Sequence, residues 1–295
     1  MRILVTGAAG FVGSSFCNHL ESQGLEYTGL DNLQFGYKDN LVNKDRLVVK
    51  RINQIDKLFI DQFDVLVHLA TANIIYAQDH MVETFASNAL DTIKLFEMFR
   101  GKIIYTSTTS VYGQAGSFPT KENAPVKVSN AYDQSKYIAE LYLKTKRLHT
   151  ILRLSNVYGP NQRPDHPYSG VIGKFIGQAR KKEPLLVYGD GMSTRDYTYI
   201  DDVIDALCKA IERPSINDVV NISTGKDTST LMVAYAIADL MGITFDGKHI
   251  RFVDNRSIDN IEKRCLCNEK AYKLLGWSPH VSLKEGLINV IDSLK

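Results

Sequence analysis

The chain has 295 residues, of which 44% are hydrophobic and 23% are charged, close to the composition of an average soluble globular protein. This length suits one large domain or two lobes, and either can bury enough surface to fold without disulfides or metal staples. The formal net charge of +2 gives no long-range field that would attract nucleic acid or an anionic membrane. We therefore expect neither of these as a partner.

The cysteines and the amino-terminal residues indicate the cellular compartment. Cys17, Cys208, Cys265 and Cys267 do not have metal-ligand spacing, so reduced thiols and no metal site are expected. The first residues run directly into an apolar segment without a cleavable signal pattern. No apolar run approaches the roughly 20 residues that a membrane helix needs. These features predict a cytoplasmic protein.

Short apolar runs alternate with helical stretches over the first half of the chain. Strands are predicted at residues 3–5, 27–30, 47–50, 65–69, 103–106 and 150–154. Helices are predicted at residues 11–23, 81–99 and 131–147. Continuous apolar strands separated by helices are typical of a parallel sheet that is covered on both faces. The predicted fold is therefore α/β, with a Rossmann-type doubly wound parallel sheet.

The alternation ends after about residue 156, where residues 158–164 form a loop rich in turn residues. Further helices are predicted at residues 169–182, 201–211, 230–241, 268–275 and 283–293, with short strands between them. We predict a cofactor-binding Rossmann domain over residues 1–156, to which later segments return, and a smaller substrate-binding lobe over residues 157–295. A cleft between the two would hold the ligands.

A glycine-rich loop joins the first predicted strand to the first predicted helix. Gly7 permits a tight turn, Gly10 allows the backbone to approach a pyrophosphate, and Gly13 allows the helix to pack closely on the strand. The N-terminus of the helix adds free N–H groups and a positive dipole. The residues expected to contact a dinucleotide here are Gly7, Gly10, Phe11, Val12 and Gly13.

Asp31 ends the second predicted strand, at about the 20-residue spacing expected of a dinucleotide-binding unit. Its carboxylate can accept hydrogen bonds from a ribose diol, whereas its charge would repel a 2′-phosphate. The sequence therefore favours NAD over NADP, with a simple turn residue before Asn32 as the alternative for Asp31. The remaining expected cofactor contacts outside the catalytic helix are Asn32, Ala70 and Thr106.

Tyr132 and Lys136 lie four residues apart on a predicted helix and so share one face. A charged Lys136 and an oxidised nicotinamide would both favour the phenolate and lower the pKa of Tyr132 from about 10. Such a tyrosine can act as a base near neutral pH, and both residues would also contact the cofactor. The spacing alone is equally compatible with surface packing.

Hydroxyl residues follow the fifth predicted strand, over Ser107–Gly113, at the edge where open α/β sheets bind ligands. These hydroxyls could orient a substrate alcohol beside Tyr132. A run of this kind is, by itself, also compatible with ordinary turn chemistry.

Seven segments, in this order, resemble the NAD-dependent epimerase/dehydratase family, the extended short-chain dehydrogenases that act on nucleotide sugars. They are Val5–Gly13, Ser107–Gly113, Tyr132–Lys136, Asn156–Pro160, Tyr188–Gly191, Arg195–Tyr197 and Asp201–Val203. The resemblance implies that Thr108 is the catalytic hydroxyl beside Tyr132 and Lys136, and that the protein is a homodimer. It also implies contacts to the nucleotide diphosphate from Asn156 and Arg195, and to a phosphate and a ribose from Arg256 and Asp259. The alternative for each arginine is a surface ion pair.

The chain departs from its family pattern at positions that bear on the reaction. The 4,6-dehydratases of the family carry an Asp-Glu pair where this chain has Thr109 and Ser110, and the decarboxylases carry a Glu at the position of Ser110. The nearest carboxylate in sequence, Asp133, is expected to point away on another face of the helix. Arg51 stands about where relatives keep an Asp for adenine, and His68 is expected in the core rather than at the site.

The family resemblance therefore implies a nucleotide-sugar 4-epimerase that acts on a UDP-hexose by reversible hydride transfer to tightly bound NAD, without release of water. Residues 167–175 also resemble the sugar-nucleotide loop of such epimerases. Three alternatives stay open: a 4-dehydrogenase or 4-ketoreductase, a 4,6-dehydratase, and a catalytically silent NAD-binding regulator.

Overall fold

The structure, a computed structural model, describes residues 1–146, 148–162, 169–255 and 261–294. Its first half alternates strands and helices as the sequence predicts. The elements are β1 (Ile3–Thr6), α1 (Phe11–Ser22), β2 (Tyr27–Asp31), β3 (Leu47–Val49), α2 (Lys57–Ile60), β4 (Val65–His68), α3 (Tyr76–Asp79), α4 (Met81–Phe85), α5 (Thr92–Met98), β5 (Lys102–Thr108), α6 (Ala131–Leu143) and β6 (His149–Leu154).

The second half contains shorter strands and the remaining helices. These are β7 (Asn156–Tyr158), α7 (Val171–Arg180), β8 (Leu185–Tyr188), β9 (Thr194–Tyr199), α8 (Ile200–Glu212), β10 (Val219–Ile222), β11 (Asp227–Ser229), α9 (Thr230–Leu240), β12 (Ile250–Val253), α10 (Glu269–Leu275) and α11 (Leu283–Asp292). Strand β9 joins β7 and β11 in a three-stranded sheet, and β12 pairs with β8.

A seven-stranded sheet in the order β10-β6-β5-β4-β1-β2-β3 forms the centre, and all its neighbouring strands are parallel. The predicted α/β fold class is thereby confirmed. Alternate residues of each strand face opposite sides, so Val5 and Val67 belong to one apolar layer while Leu4 and Leu66 belong to the other. Burial on both faces explains why the first three residues of β1 and of β4 are all apolar. Strand β10 supplies one edge from beyond residue 156.

The strand order reverses between β1 and β4, which are neighbours in the sheet although β2 and β3 lie between them in sequence. In open α/β sheets ligands bind at such a switch point, outside the carboxyl ends of the strands. Here the glycine loop follows β1, and residues 69–72 follow β4. The fold therefore opens a crevice where the sequence places its motifs.

The helix predicted over residues 81–99 is interrupted, and in this respect the prediction is wrong. A π-helical turn, Ala86–Asp91, separates α4 from α5. Inside this turn the buried Asn88 accepts a hydrogen bond from Ala72 N (2.8 Å) and donates one to Ala72 O (2.8 Å). The side chain thereby ties the helix to the loop after β4, an interaction that apolar periodicity does not reveal.

No helix within the described residues is long and apolar enough to cross a membrane.

Candidate active site

A cavity of about 640 Å³ lies at the carboxyl ends of the central strands, within the usual size range of ligand pockets. Its walls combine the glycine loop, the end of β2, the loop after β4 and the start of α6. The predicted site residues that line it are Gly7, Gly10, Phe11, Val12, Gly13, Asp31, Asn32, Ala70 and Tyr132. The structure thus brings the cofactor motif and the proposed catalytic tyrosine to one cavity.

The glycine loop is closed so tightly that side chains are excluded from it. Gly7 has φ +72°, and a Cβ there would lie 2.6 Å from Ala70 N. A Cβ on Gly13 would lie 1.9 Å from Gly7 O. Gly10 N donates to Gly7 O (3.1 Å), and α1 begins directly afterwards. This bare backbone, with a helix N-terminus behind it, fits the pyrophosphate of a dinucleotide.

Asp31 is held at the end of β2 by backbone donors. Its Oδ2 accepts a hydrogen bond from Ala9 N (2.9 Å), and its Oδ1 accepts one from Leu33 N (2.8 Å). Burial raises the pKa of Asp31 above its ordinary value, and these hydrogen bonds oppose that rise. Each oxygen keeps a second lone pair with which it can accept a hydrogen bond from a ribose hydroxyl.

Two other predicted cofactor residues differ in their surroundings. Asn32 is exposed at the mouth of the cavity and caps the next turn by accepting a hydrogen bond from Gln34 N (3.0 Å). Thr106 is buried in β5, where its hydroxyl donates to His68 O (3.1 Å) and links two central strands. Thr106 is therefore placed under the cavity rather than in its wall.

Of the proposed catalytic residues, Tyr132 lines the cavity and Thr108 and Lys136 lie behind its wall. Thr108 ends β5, and its hydroxyl lies within hydrogen-bonding reach of the Tyr132 phenol in the first turn of α6. Lys136, one turn further along α6, is buried, and its Nζ lies 4.4 Å from the centre of the Tyr105 ring. The structure thus pairs Thr108 with Tyr132 and places Lys136 on the same helix, against β5.

The electrostatics of the trio differ from the sequence-based expectation. Burial, followed by the charge of Asp133, raises the pKa of Tyr132 to about 12, whereas Thr108 and Arg264 oppose the rise. Burial lowers the pKa of Lys136 to about 7, so this site disfavours its ammonium form. Without the cofactor, the pKa of Tyr132 is raised and not lowered as expected. The reason is that desolvation is the largest effect on the pKa of both Tyr132 and Lys136.

Asp133 faces the Ser107–Gly113 loop, so the expectation that it points away on another face of the helix is wrong. Its Oδ1 accepts a hydrogen bond from Ser110 Oγ (2.5 Å), and its Oδ2 accepts one from Asn130 Nδ2 (2.8 Å). Asn130 caps α6 by accepting from Asp133 N (2.9 Å), and this first helical turn packs against residues 109–112. Because the loop wraps the start of the helix, neighbouring helix residues can both face it.

The residues proposed for the substrate are divided among several segments. Arg195, in β9, donates from Nη1 to Thr194 O (2.8 Å) and to Ile261 O (2.9 Å). Asn156 is exposed at the start of β7, paired in register with Tyr197 of β9. Arg256 and Asp259 lie outside the described residues, as do residues 167 and 168 of the proposed sugar-nucleotide loop.

Arg264 is a site residue that sequence reasoning missed. Its side chain is partly buried, and its Nε is a buried atom that finds no hydrogen-bond partner among the described residues. Burial and the nearby Arg195 lower the pKa of Arg264 to about 10, while Asp133 and Tyr132 oppose this. The guanidinium groups of Arg264 and Arg195 therefore lie close enough to repel one another, near Tyr132. A like-charged pair of this kind suits an anionic ligand.

His68 occupies the core beneath the site. Its Nδ1 and Nε2 lie 2.7 Å from Thr6 Oγ1 and 3.0 Å from Thr92 Oγ1, and the side chain is fully buried. Burial holds the pKa of His68 well below its ordinary value, so the imidazole is neutral. Both ring nitrogens are engaged by threonine hydroxyls, which leaves His68 a structural role.

Comparison with known proteins supports a family assignment. The model of the NAD dependent epimerase/dehydratase family matches residues 3–223. The UDP-glucose 4-epimerase of Mycolicibacterium smegmatis is 32% identical, covering 99% of this chain and 98% of that protein. Other relatives include UDP-glucuronic acid decarboxylases of Arabidopsis thaliana and a dTDP-glucose 4,6-dehydratase of Streptomyces venezuelae.

Solved structures of UDP-glucose 4-epimerases also resemble this chain over nearly its whole length. The Thermotoga maritima UDP-glucose 4-epimerase, determined with UDP-glucose, has a TM-score of 0.92 at 30% identity and covers 100% of this chain and 98% of its own. The Thermus thermophilus UDP-glucose 4-epimerase, determined with NAD, has a TM-score of 0.89 at 30% identity, with 99% and 98% covered. The chain belongs to the NAD-dependent epimerase/dehydratase family, and NAD is its cofactor.

Proposed function

We propose that the protein is a nucleotide-sugar 4-epimerase and that its substrate is a UDP-hexose. The observation that carries the proposal is the hydrogen-bonded pairing of Thr108 with Tyr132, which lines the cavity. The loop that carries Thr108, Ser107–Gly113, contains no carboxylate. This set supplies a base and an orienting hydroxyl for one sugar alcohol. The likeness to UDP-glucose 4-epimerases along nearly the whole chain supports the same activity.

Tyr132 and Thr108 both act on the hydroxyl group at C4 of the sugar. Tyr132 takes the proton of the sugar 4-hydroxyl, and Thr108 fixes the orientation of that hydroxyl. Bound NAD would supply the hydride acceptor for C4 and, in its reduced form, the donor for the opposite face of the ketone. Lys136 lies one turn further along α6, where its buried amino group can bind cofactor hydroxyls and, when NAD binding keeps it protonated, favours the phenolate.

The nucleotide end of the substrate requires cations and ribose acceptors. We propose that Arg195 and Arg264 hold the diphosphate, because the two positive charges lie close enough to repel one another near Tyr132. Asn156, Arg256 and Asp259 are proposed to complete the nucleotide contacts. A diphosphate between two arginines would remove the cost of their mutual repulsion and would satisfy the unpaired Nε of Arg264.

The remaining cofactor contacts are proposed from the same geometry. They are Gly7, Gly10, Phe11, Val12, Gly13, Asp31, Asn32, Ala70 and, from below, Thr106. We further propose that residues 1–156 form the cofactor domain with β10 as a returning strand, that residues 157–295 hold the substrate, and that the enzyme works as a cytoplasmic homodimer.

A 4,6-dehydratase is the main competitor, because Asp133 places a carboxylate close to Ser110. That carboxylate accepts hydrogen bonds from Ser110 and Asn130, and only 2% of Asp133 is exposed. Elimination across C5 and C6 requires groups that reach both atoms. A carboxylate enclosed behind a serine does not meet that requirement.

A substrate screen tests the proposal. The NAD-loaded protein is incubated with UDP-, dTDP- and GDP-hexoses, with NMR of the products and absorbance of released NADH as the readouts. We expect interconversion of a UDP-hexose pair at C4 with no accumulation of NADH. Net NADH production would identify a dehydrogenase, and absence of turnover with every nucleotide sugar would reject the assignment.

A further inference from the structure

Three polar side chains form a continuous hydrogen-bonded chain behind the proposed catalytic centre. Asp133 Oδ1 accepts from Ser110 Oγ (2.5 Å), and Ser110 Oγ lies 2.8 Å from Thr108 Oγ1. Thr108 in turn lies within hydrogen-bonding reach of Tyr132. Asp133 and Ser110 are only 2% and 8% exposed, so water does not readily replace these contacts. We call Thr108, Ser110 and Asp133 the hydroxyl chain.

The charge of Asp133 determines the direction of the hydroxyl chain. An ionised carboxylate only accepts hydrogen bonds, so the single proton of Ser110 Oγ is committed to Asp133. Ser110 Oγ must then accept the proton of Thr108, whose oxygen also receives the Ser110 N–H (3.1 Å). Thr108 consequently turns a lone pair towards Tyr132 and the substrate.

A proton on Asp133 reverses every bond of the hydroxyl chain. Asp133 then donates to Ser110, Ser110 donates to Thr108, and Thr108 donates towards the Tyr132 oxygen. A sugar alcohol needs an acceptor to take its proton, whereas a ketone or a phenolate needs a donor. The two directions therefore match the two states through which C4 passes in the proposed reaction.

We propose that Asp133 is a positioning residue that acts through Ser110 and Thr108 and stores the substrate proton while C4 is a ketone. The inference rests on the proposed 4-epimerase function. As C4 is oxidised and NAD is reduced, the O4–H bond breaks and its proton passes to Tyr132. The phenolic proton moves to Thr108, the Thr108 proton moves to Ser110, and the Ser110 proton forms an O–H bond on Asp133. Reduction of C4 runs the same transfers backwards.

The surroundings of Asp133 are compatible with a stored proton. Burial raises the pKa of its carboxyl above the ordinary value, and the Ser110 hydrogen bond and the charge of Arg264 oppose this rise. Asn130 and the Ser129 backbone also donate to it, and the anion in turn raises the pKa of Tyr132. The facing charged or titratable groups are thus Tyr132 on α6 and Arg264 on the segment after β12.

Two variants interrupt the hydroxyl chain at different points. Asp133→Asn can still accept from Ser110 but cannot take a proton, and Ser110→Ala removes the connection while it retains the carboxylate. We expect each to lower kcat about 10- to 100-fold with little change in KM, the lower end of acid–base effects. The double variant should lose no more than either single variant, because both remove one pathway. Gln134→Ala, at an exposed position of the same helix, is the matched control and should keep activity within about threefold.

A titration of Tyr132 separates this inference from the proposed function, because it needs no sugar. The phenolate absorbance of NAD-loaded protein is compared with that of its Tyr132→Phe form across alkaline pH. In the Asp133→Asn background the pKa of Tyr132 should fall, since the neighbouring anion that raises it is removed. An unchanged pKa of Tyr132, or kcat losses that add in the double variant, would overturn the role of Asp133 even if the enzyme proves to be an epimerase. A wild-type protein without epimerase activity would reject the function, and the titration would still test whether Asp133 acts on Tyr132.

Discussion

The cofactor end and the catalytic end of the cavity are formed by different kinds of contact. At the cofactor end most contacts come from one short unit, β1, α1 and β2, with its glycine loop and Asp31, and fewer come from the loop after β4. At the catalytic end they come from side chains of β5, α6 and the segment after β12, between residues 108 and 264. The first end is local and its chemistry requires glycine, whereas the second is a set of long-range side-chain contacts. Local sequence patterns therefore describe the first end more fully than the second.

The largest expected effect is at the catalytic end. Tyr132→Phe should reduce turnover about 10²- to 10⁴-fold, because the proton acceptor is removed while the ring that fills the site is kept. Binding of NAD and of UDP-sugar, measured by calorimetry, should change little. The matched control is Tyr142→Phe on the same helix, which should retain activity. Near-normal turnover of Tyr132→Phe would show that another group is the base.

The next largest effect is expected at the cofactor end, where a substitution in the glycine loop disturbs the backbone packing. Gly13→Ala places a Cβ within 1.9 Å of Gly7 O, so the loop must shift. We expect NAD affinity to fall at least about tenfold and the protein to lose about 1–3 kcal/mol of stability, as overpacking does elsewhere. The control is Gly247→Ala, because a Cβ there meets no atom within 4 Å. Unaltered NAD binding in the Gly13 variant would contradict the close packing of this loop.

Arg264 tests whether the catalytic end also binds the substrate's charge. Arg264→Ala should raise KM for a UDP-sugar about tenfold, the effect of one lost hydrogen bond to a charged group, with a smaller change in kcat. Lys263→Ala removes the same charge one residue earlier, from a partly exposed ion pair with Asp227, and should leave KM nearly unchanged. Equal effects of the two variants would remove Arg264 from the substrate site.

The smallest effect concerns the choice of cofactor. NAD(H) should bind at least about tenfold more tightly than NADP(H), a difference of about 1.4 kcal/mol, because Asp31 repels a 2′-phosphate. Titration of both into cofactor-free protein measures this ratio, and Asp31→Ala should narrow it. Equal affinities in the unmodified protein would exclude Asp31 from the ribose site.

How far the sequence predicts the site depends on the range of the interactions. The glycine loop, Asp31 and the Tyr132–Lys136 pair follow local rules, and the structure brings them to one cavity as expected. The seventh strand was anticipated only as a return of later segments. The contact between Asp133 and Ser110 depends on how a loop wraps the start of α6, and helical spacing alone predicted the opposite orientation.

Arg264 shows more clearly what sequence patterns cannot predict about the site. It lies over 130 residues from Tyr132 in a segment without a recognised motif. The backbone bonds from Arg264 N to Thr194 O (3.1 Å) and from Thr194 N to Glu262 O (2.8 Å) place it beside Arg195. The pKa of Lys136 likewise depends on its burial against Tyr105. The position of Arg264 and the pKa of Lys136 both depend on charge, burial and contacts with residues distant in sequence. Local sequence patterns do not reveal these.

The fate of the hydrogen at C4 tests the central claim most directly. UDP-[4-²H]glucose is incubated with the NAD-loaded protein, and the products are analysed by NMR and mass spectrometry. The proposed epimerase should return the deuterium to C4 of the C4-inverted UDP-hexose, with no loss of water. Deuterium found at C6 of a dehydrated sugar, or in released NADH, would contradict a 4-epimerase and would identify a dehydratase or a dehydrogenase.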